Sequence, residues 1–513
     1  MMMSRRFLVC IFATACTEPT GTVPLAPDRL LAEPSATLLG APFPAMEATP
    51  PPTLPEPSRT LYADANGVPG GTGTPEAPFE DLQVALRFLE PGDRLVLRPG
   101  RYEGSFVIDD SCQRGDATRP IQVVAEAGAI LSPGSESPAA VLTVSRPYWI
   151  LQGFDVDAES KVNQGVRVIG IASNSPAVGL LLSALRVTGA LKAGIGLGPD
   201  LRNIQLLNTV VDNNGDEDHR ADGIRIYGSV SDLGLQGLRI HDNSGDGVHL
   251  LNHRDPLEED EDRAQTPPTE LRIHSSRIHD NGDDGIEIRD GRDLQIQAVR
   301  IWNHLQEEDS ACIKIQGMVV DAQIENNHLV ECTRALWVGQ GVHEDVNEAL
   351  VPNDILIYRN YMVSQLAART SGLVLTTVKD VRVYHNIISH YDSGLTIHGY
   401  EFENRDIQIR NNLFHEQELR SFDLTVWDNV ERFDYNAFSR GSEAVVGRVD
   451  TEQSRLSTLM EEGYLENSVL AESVSFMGAD LGNLSGINLV DRGVAIAGIP
   501  ATGSAPDIGI AEK

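Results

Sequence analysis

The sequence predicts an all-β chain wound as one ribbon into stacked coils, a parallel β-helix. Three observations carry this expectation. A short unit, a small residue followed by apolar, variable, apolar, recurs through the middle of the chain. The units lie 22 to 38 residues apart, with the variation in the loops. The fixed two-residue turn signals that join antiparallel hairpins are absent, so each short strand must pair in parallel with its counterpart one coil on. Helical repeats would show a 3.6-residue period, and propeller blades need four antiparallel strands per unit; neither pattern is present.

The chain begins "MMMSRRFLVCIFATACTEPTG". Arg5 and Arg6 precede an apolar run, Phe7 to Ala13, far too short to span a bilayer, so residues 1–15 read as a secretory signal. Ala13-Thr14-Ala15-Cys16 resembles a bacterial lipobox, which implies cleavage before Cys16 and lipidation of its thiol. The expected location is the bacterial cell envelope, by lipid anchor or by secretion. Residues 16–58 are rich in Pro, Thr and Ala and read as a semi-extended tether.

Residues 59–140 hold a strand, a Gly/Pro loop, a helix and further strands. The helix is expected from about Phe79 to Leu89, with Leu82, Val84, Ala85, Phe88 and Leu89 on its apolar face and Pro91-Gly92 ending it. Residues 141–440 carry the repeats: "AGIGLG" from 193, "DGIRIYG" from 222, "DGVHLLN" from 246, "DGIEIRDG" from 284, "ACIKIQG" from 311, "RALWVGQG" from 334, "SGLVLTT" from 371, "SGLTIHG" from 393 and "FDLTVWD" from 422. Before many of them stands a second short strand ending in Asn, as in "LRIHDN" and "AQIENN". Ile224, Val248, Ile286, Ile313 and Leu336 are the expected inward ladder. Asn213, Asn243, Asn281, Asn326 and Asn411 are the expected corners, where Asn tolerates left-handed backbone. The last segment, 441–513, is expected to close the coil.

These features resemble the pectin-lyase-like superfamily of right-handed parallel β-helix proteins over roughly residues 59–513, which implies that the helix caps the N-terminal end of the coil and that the last segment packs as an irregular C-terminal cap. The fold hosts several activities, so the resemblance implies architecture before function.

The net charge of −33 disfavours nucleic acid and anionic lipid as partners. Five cysteines, of which three would remain after processing and lipidation, argue against a disulfide framework. Cys312 and Cys332 lie about one repeat apart, so a bridge can form between them, with two small buried residues as the favoured expectation. A monomer is expected.

Stacking converts the repeats into columns about 4.8 Å apart. The outward position reads Gly196, Arg225, His249, Glu287, Lys314, Trp337, Val374, Thr396, Thr425. The position before the glycine reads Ala193, Asp222, Asp246, Asp284, Ala311, Arg334, Ser371. Three aspartates in successive coils repel unless compensated. Two readings stand: the aspartates close their own turns, with Glu287 and Lys314 as a cross-coil ion pair, or, with Asp283 and Glu287, they hold a hard cation such as calcium.

Asp283-Asp284-Gly285-Ile286-Glu287 followed by Lys314 one coil on is similar to the Asp-Asp-x-x-Asp run and later lysine of calcium-dependent polysaccharide lyases of the pectate lyase and chondroitinase-B type, with Glu replacing the last Asp. The resemblance implies β-elimination on a uronate-containing, acidic polysaccharide, with Lys314 as base, Arg334 assisting, calcium on Asp222, Asp246, Asp283, Asp284 and Glu287, and Arg225, His249 and Trp337 toward the sugar. A free lysine titrates near 10.4, so this chemistry needs its pKa depressed. A glycoside hydrolase using Asp246 and Asp284, and a non-catalytic glycan-binding or structural surface module, are the alternatives.

Overall fold

The structure, a computed structural model, describes residues 49–513 apart from 136, 171–175, 252–266, 306–308, 340–350, 365–369, 400–403, 426–429, 440–444, 450–451, 472–473, 477–483, 486–488, 490–491, 498, 500–504 and 510–513. The signal, Cys16 and most of the tether therefore lie outside the described residues.

The described chain is a parallel β-helix with three sheets running along its length. The first sheet stacks strands such as Ala193–Leu197, Asp222–Ile226, Val248–Leu250 and Arg334–Gly339. The second stacks Leu201–Leu207, Val230–Gln236 and Thr269–His274, and the third the three-residue strands Val210–Asp212, Arg239–His241 and Arg277–His279. Two long strands, Ile286–Gln297 and Ala311–Glu325, bend from the first sheet into the second. Ile195, Ile224, Val248, Ile286, Ile313 and Leu336 form one inward column, each fully buried. Burial of each such side chain contributes roughly 1.5–3 kcal/mol.

Two corners differ from the sequence expectation by one residue. Asn213, Asn326 and Asn411 do adopt left-handed backbone, but at the coils of Asn243 and Asn281 the preceding Asp242 and Asp280 adopt it instead. The buried asparagines next to these positions stack as side-chain ladders. Asn214, Asn243 and Asn281 link in one, with amide-to-amide distances of 2.8 and 2.9 Å. Asn327, Asn360, Asn386, Asn412 and Asn436 link in another at 3.0 Å per step. The amides also donate to backbone carbonyls, as Asn243 does to Val211, Asn360 to Ile324 and Asn386 to Ile357, which satisfies those buried acceptors.

The capping helix spans Leu82–Phe88, three residues shorter at its start than expected, because the Asp81 side chain accepts the Val84 N–H at 3.0 Å and fixes the first turn there. Phe79 pairs instead with Ala63 as an isolated bridge. The buried face is Leu82, Ala85, Leu86 and Leu89, whereas Val84 and Phe88 are exposed, contrary to the predicted face. Gln83 meets the open edge strand Phe106–Ile108: its amide donates to the Val107 carbonyl and accepts its N–H, at 2.9 and 2.8 Å. One side chain thus supplies the pairing an edge strand lacks.

At the other end, Val445–Val449 pairs antiparallel with Glu452–Arg455, and the helix Leu456–Glu461 buries Leu456 and Leu459. The segment after it, expected to cap the coil, returns along the flank. Asn411 bonds Val494 through both its N–H and its carbonyl, and Leu489 and Ile508 pack on Tyr361, Val363, Ile387 and Leu413 of the third sheet. Cys312 and Cys332 form a disulfide inside the core, with Cα atoms 5.6 Å apart. The expectation of two separate thiols fails because residue 312 opens one strand while 332 sits in the turn of the adjoining coil, side by side. Cys112 is a buried free thiol. Among the described residues no helix is long and apolar enough to cross a membrane.

Candidate functional site

The register brings together the residues singled out in the sequence. Gly196, Arg225, His249, Glu287, Lys314, Trp337, Val374 and Thr396 are successive partners across the first sheet. The next residue is Asp423 and not Thr425, because Phe422 and Leu424 take the inward positions. The same pairing aligns Asp222, Asp246 and Asp284 in one row. Glycine follows each aspartate because the next coil presses on it: a side chain at Gly247 would meet Ile278 and the Gly285 carbonyl, each at 2.5 Å.

The aspartate row is a hydrogen-bonded ladder. Asp222 Oδ1 accepts the Asp246 N–H at 3.1 Å, Asp246 Oδ1 accepts the Asp284 N–H at 2.9 Å, and Asp284 Oδ1 accepts the Ala311 N–H at 2.6 Å. Each carboxylate therefore closes a backbone donor one coil on, rather than its own turn. Its second oxygen turns toward the adjoining column of cations.

There His249 is the hub. Its Nδ1 lies 3.1 Å from Asp222 Oδ2 and 3.0 Å from Asp246 Oδ2, and its Nε2 lies 3.1 Å from Glu287 Oε2. Arg225 donates to Asp222 at 2.8 Å and Arg289 reaches Glu287 at 2.9 Å. Lys314 Nζ stands 3.2 Å from Asp284, 3.6 Å from Asp309 and 3.9 Å from Glu287. Arg220 pairs with Asp283 and lies 3.7 Å from Asp246. Trp337 lies beneath two cations, with Lys314 5.1 Å and Arg334 4.9 Å from its ring centre, and donates its indole N–H to Thr376 at 3.1 Å.

Burial splits these groups in their proton affinity. Burial opposes ionisation of Asp222 and Glu287, yet His249 with Arg225 holds the first at about 2, and His249 with Arg289 holds the second at about 2. Burial and the neighbouring Asp222 and Glu287 charges push Asp246 up despite His249. Burial and the Asp246 charge push Asp284 well up, with Lys314 opposing. Desolvation works against the charge on His249, but Asp222, Asp246 and Glu287 outweigh it and hold the imidazolium well above its usual range. Lys314 is likewise raised, because Asp284, Glu287 and Asp309 outweigh its burial. The depressed lysine that a base requires is thus not what these carboxylates produce by themselves.

The wall is also less open than a solvated outward column. Asp222, Asp246, Asp284 and Glu287 are at most 1% exposed, and Lys314 7%. Long side chains of adjoining coils pack on one another here, with Glu287 against His249, Arg289 and Lys314. The site meets solvent at one edge, where the side chains of Arg220 and Asp309 are 54% and 60% exposed and that of Asp283 13%. Residues 252–266 and 306–308 of the two flanking loops lie outside the described residues.

Three groups of this network escaped the sequence reading. Arg289 was legible, because strand alternation puts it on the same face as Glu287. Arg220 and Asp309 sit in turns, where no period assigns a direction.

One remaining test concerns a cation. Asp246, Asp284 and Glu287 each offer a carboxylate oxygen, all within 4.8 Å of one another. Asp246 Oδ2 and Asp284 Oδ2 are buried and meet charged partners, His249 Nδ1 at 3.0 Å and Lys314 Nζ at 3.2 Å, while the buried Glu287 Oε1 lies 3.9 Å from Lys314 Nζ. A set of oxygen donors with spare lone pairs fits a hard ion such as calcium; the His249 side of the cluster, with an imidazole, does not.

Residues 269–445 match the family model for the right handed beta helix region. The fold is a right-handed parallel β-helix. Among solved structures, a pectate lyase, Pel9A, is 18% identical, with 89% of this chain and 97% of that one covered and a TM-score of 0.43. An alginate lyase from Paenibacillus sp. is 16% identical, with coverages of 67% and 96% and a TM-score of 0.41. The A-module of the mannuronan C-5 epimerase AlgE4 from Azotobacter vinelandii is 10% identical, with coverages of 76% and 99% and a TM-score of 0.46. No curated protein matches the chain in sequence.

Proposed function

We propose that the chain is a polysaccharide-active enzyme of the cell envelope, a calcium-dependent lyase that cleaves uronate-containing glycan by β-elimination. The observation that carries this reading is the convergence of three buried carboxylates, Asp246, Asp284 and Glu287, whose oxygens lie within 4.8 Å of one another. Like charges so close are unfavourable unless compensated, and a hard cation would add to the compensation that His249 and Lys314 supply. Asp246, Asp284 and Glu287 would hold the ion, with Asp283 at the exposed edge. When bound, calcium offsets the carboxylate charge and draws the sugar carboxylate to the site.

The protein's own groups then divide the work. Lys314 Nζ takes the proton from the carbon next to the sugar carboxylate. The electron pair forms a double bond as the bond from the following carbon to the glycosidic oxygen breaks, and that oxygen leaves with a proton from water. The step needs the amine neutral, and Asp284 and Glu287, engaged elsewhere, would no longer hold its proton. Arg334 and Arg225 orient anionic groups on either side, and His249 keeps the carboxylates of three coils in place. In the chain as a whole, Cys16 carries the lipid and residues 16–58 hold the coil off the membrane.

A hydrolase is the second reading, favoured by the split between Asp284, pushed well up, and Glu287, held at about 2. Such a pair is what acid and nucleophile roles require. The experiment is a panel of polyuronates and neutral glycans incubated with and without calcium. A lyase yields an unsaturated uronate that absorbs in the ultraviolet and disappears with chelator. Reducing ends without that chromophore would identify the hydrolase, and no product on any glycan would leave a binding module.

A further inference from the structure

A second cluster lies on the third sheet, away from the ladder. His390 follows the strand Ile387–Ser389 and His415 ends its partner Leu413–His415, so they belong to adjoining coils. His390 Nε2 lies 2.9 Å from Glu416 Oε2, and His415 Nε2 lies 3.9 Å from Glu416 Oε1. The ligand atoms of all three fall within 4.8 Å of one another. On the far side of both rings one hydroxyl holds both Nδ1 atoms: Ser389 Oγ is 2.6 Å from that of His390 and 2.9 Å from that of His415.

We propose that His390, His415 and Glu416 bind a divalent transition cation, zinc, clipping two successive coils together. A metal-bound histidine is usually oriented through its other nitrogen, and here Ser389 does this for two rings at once. With both Nδ1–H groups donating to Ser389 Oγ, both Nε2 lone pairs face the carboxylate. Four-coordinate zinc has bonds of about 2.0–2.1 Å, which places ligand atoms about 3.3 Å apart. The 2.9 and 3.9 Å separations bracket that value. Two imidazoles and one carboxylate select zinc over calcium, whose ligands are oxygen. The Glu416 side chain is 61% exposed, which gives the ion a path in and room for a water as fourth ligand. Binding replaces the proton shared between His390 and Glu416, so it releases a proton.

The test uses tag-free, chelator-treated protein carrying the whole described chain, titrated with zinc in saturating calcium so that the ladder does not compete. Wild type binds one zinc, with proton release visible in buffers of different ionisation enthalpy, and its Tm rises with zinc. Glu416→Gln, at an exposed position that tolerates change, and His390→Ala each lower zinc affinity at least about tenfold and remove the rise in Tm. Ser389→Ala weakens binding by about 10–100-fold without abolishing it. Absence of zinc binding to wild type, or affinity unchanged in both Glu416→Gln and His390→Ala, overturns the proposal.

Discussion

The first sheet carries charge at two places, and they are built differently. Near its C-terminal end Asp423 is met by Arg448 through both carboxylate oxygens, at 2.7 Å each, and by Arg420 at 2.8 Å. Between the two clusters the column is neutral: Ser371 and Thr396 share a hydrogen bond of 2.9 Å across adjoining coils. The Asp222–Lys314 cluster instead gathers three buried carboxylates, Asp246, Asp284 and Glu287, with oxygens within 4.8 Å of one another, and meets them with His249 and Lys314. The difference teaches that charge on this face is not itself a functional sign. At Asp423 two guanidinium groups surround a single carboxylate, whereas in the ladder carboxylates crowd one another and a further cation would relieve them.

The sharpest way to break the comparison is through activity. Lys314→Ala is expected to lower turnover by about 10²–10⁴-fold, the usual worth of a positioned acid–base group, with the far-ultraviolet circular dichroism unchanged. Arg448→Ala, on the same face, should leave turnover as it is. Equal losses in the two variants, read by release of unsaturated uronate, would show that the face acts only as a scaffold.

Stability should respond in the opposite sense. Arg448→Ala removes two charge-assisted hydrogen bonds from a carboxylate that is only 7% exposed, a loss of about 2–3 kcal/mol in chemical denaturation. Calcium should not alter that cost, since nothing at Asp423 is left to bind it. A calcium-dependent cost would place the cation at Asp423 instead of the ladder.

The strands and their stacking were legible because a period of two within strands and an approximate repeat between them leave few windings possible. The column from Arg225 to Trp337 followed from that register. It failed at Thr425, where "FDLTVWD" offers two overlapping alternations and only packing chooses Phe422 and Leu424 as the inward pair. Two of the five asparagine corners, at Asn243 and Asn281, slipped by one residue for a similar reason. "HDN" and "ENN" place two polar residues together, and the sequence does not say which bends the backbone and which stacks. Nor was burial legible: an outward residue is exposed on an isolated strand, but Glu287 lies between His249, Arg289 and Lys314, side chains long enough to cover it. The Cys312–Cys332 bridge depends on how the two coils sit side by side, which spacing alone leaves open.

The finest distinction lies in proton binding, and it bears on the ladder alone. In chelated protein Asp284 has its folded pKa raised, so the folded chain binds more protons than the unfolded chain between about 3.9 and that raised value. The stability this supplies is complete below the unfolded value and is lost as pH rises through the folded one. His249, also raised, acts in the same direction above about 6.5. Asp222 and Glu287, held at about 2, act oppositely, but their contribution is complete above about 4 and disappears only as pH falls toward 2. Chelated wild type should therefore lose Tm as pH rises from about 6.5, and calcium should restore it. Asp284→Asn mimics the protonated carboxyl and still accepts the Ala311 N–H. It should be more stable than chelated wild type at pH 8, by about 1 kcal/mol, the low end of what relieving a buried charge gives. At pH 4 the two should be indistinguishable, and calcium should no longer raise the Tm of the variant. A variant less stable than wild type at pH 8 would mean that Lys314 already compensates Asp284 fully, and the contrast with Asp423 would disappear.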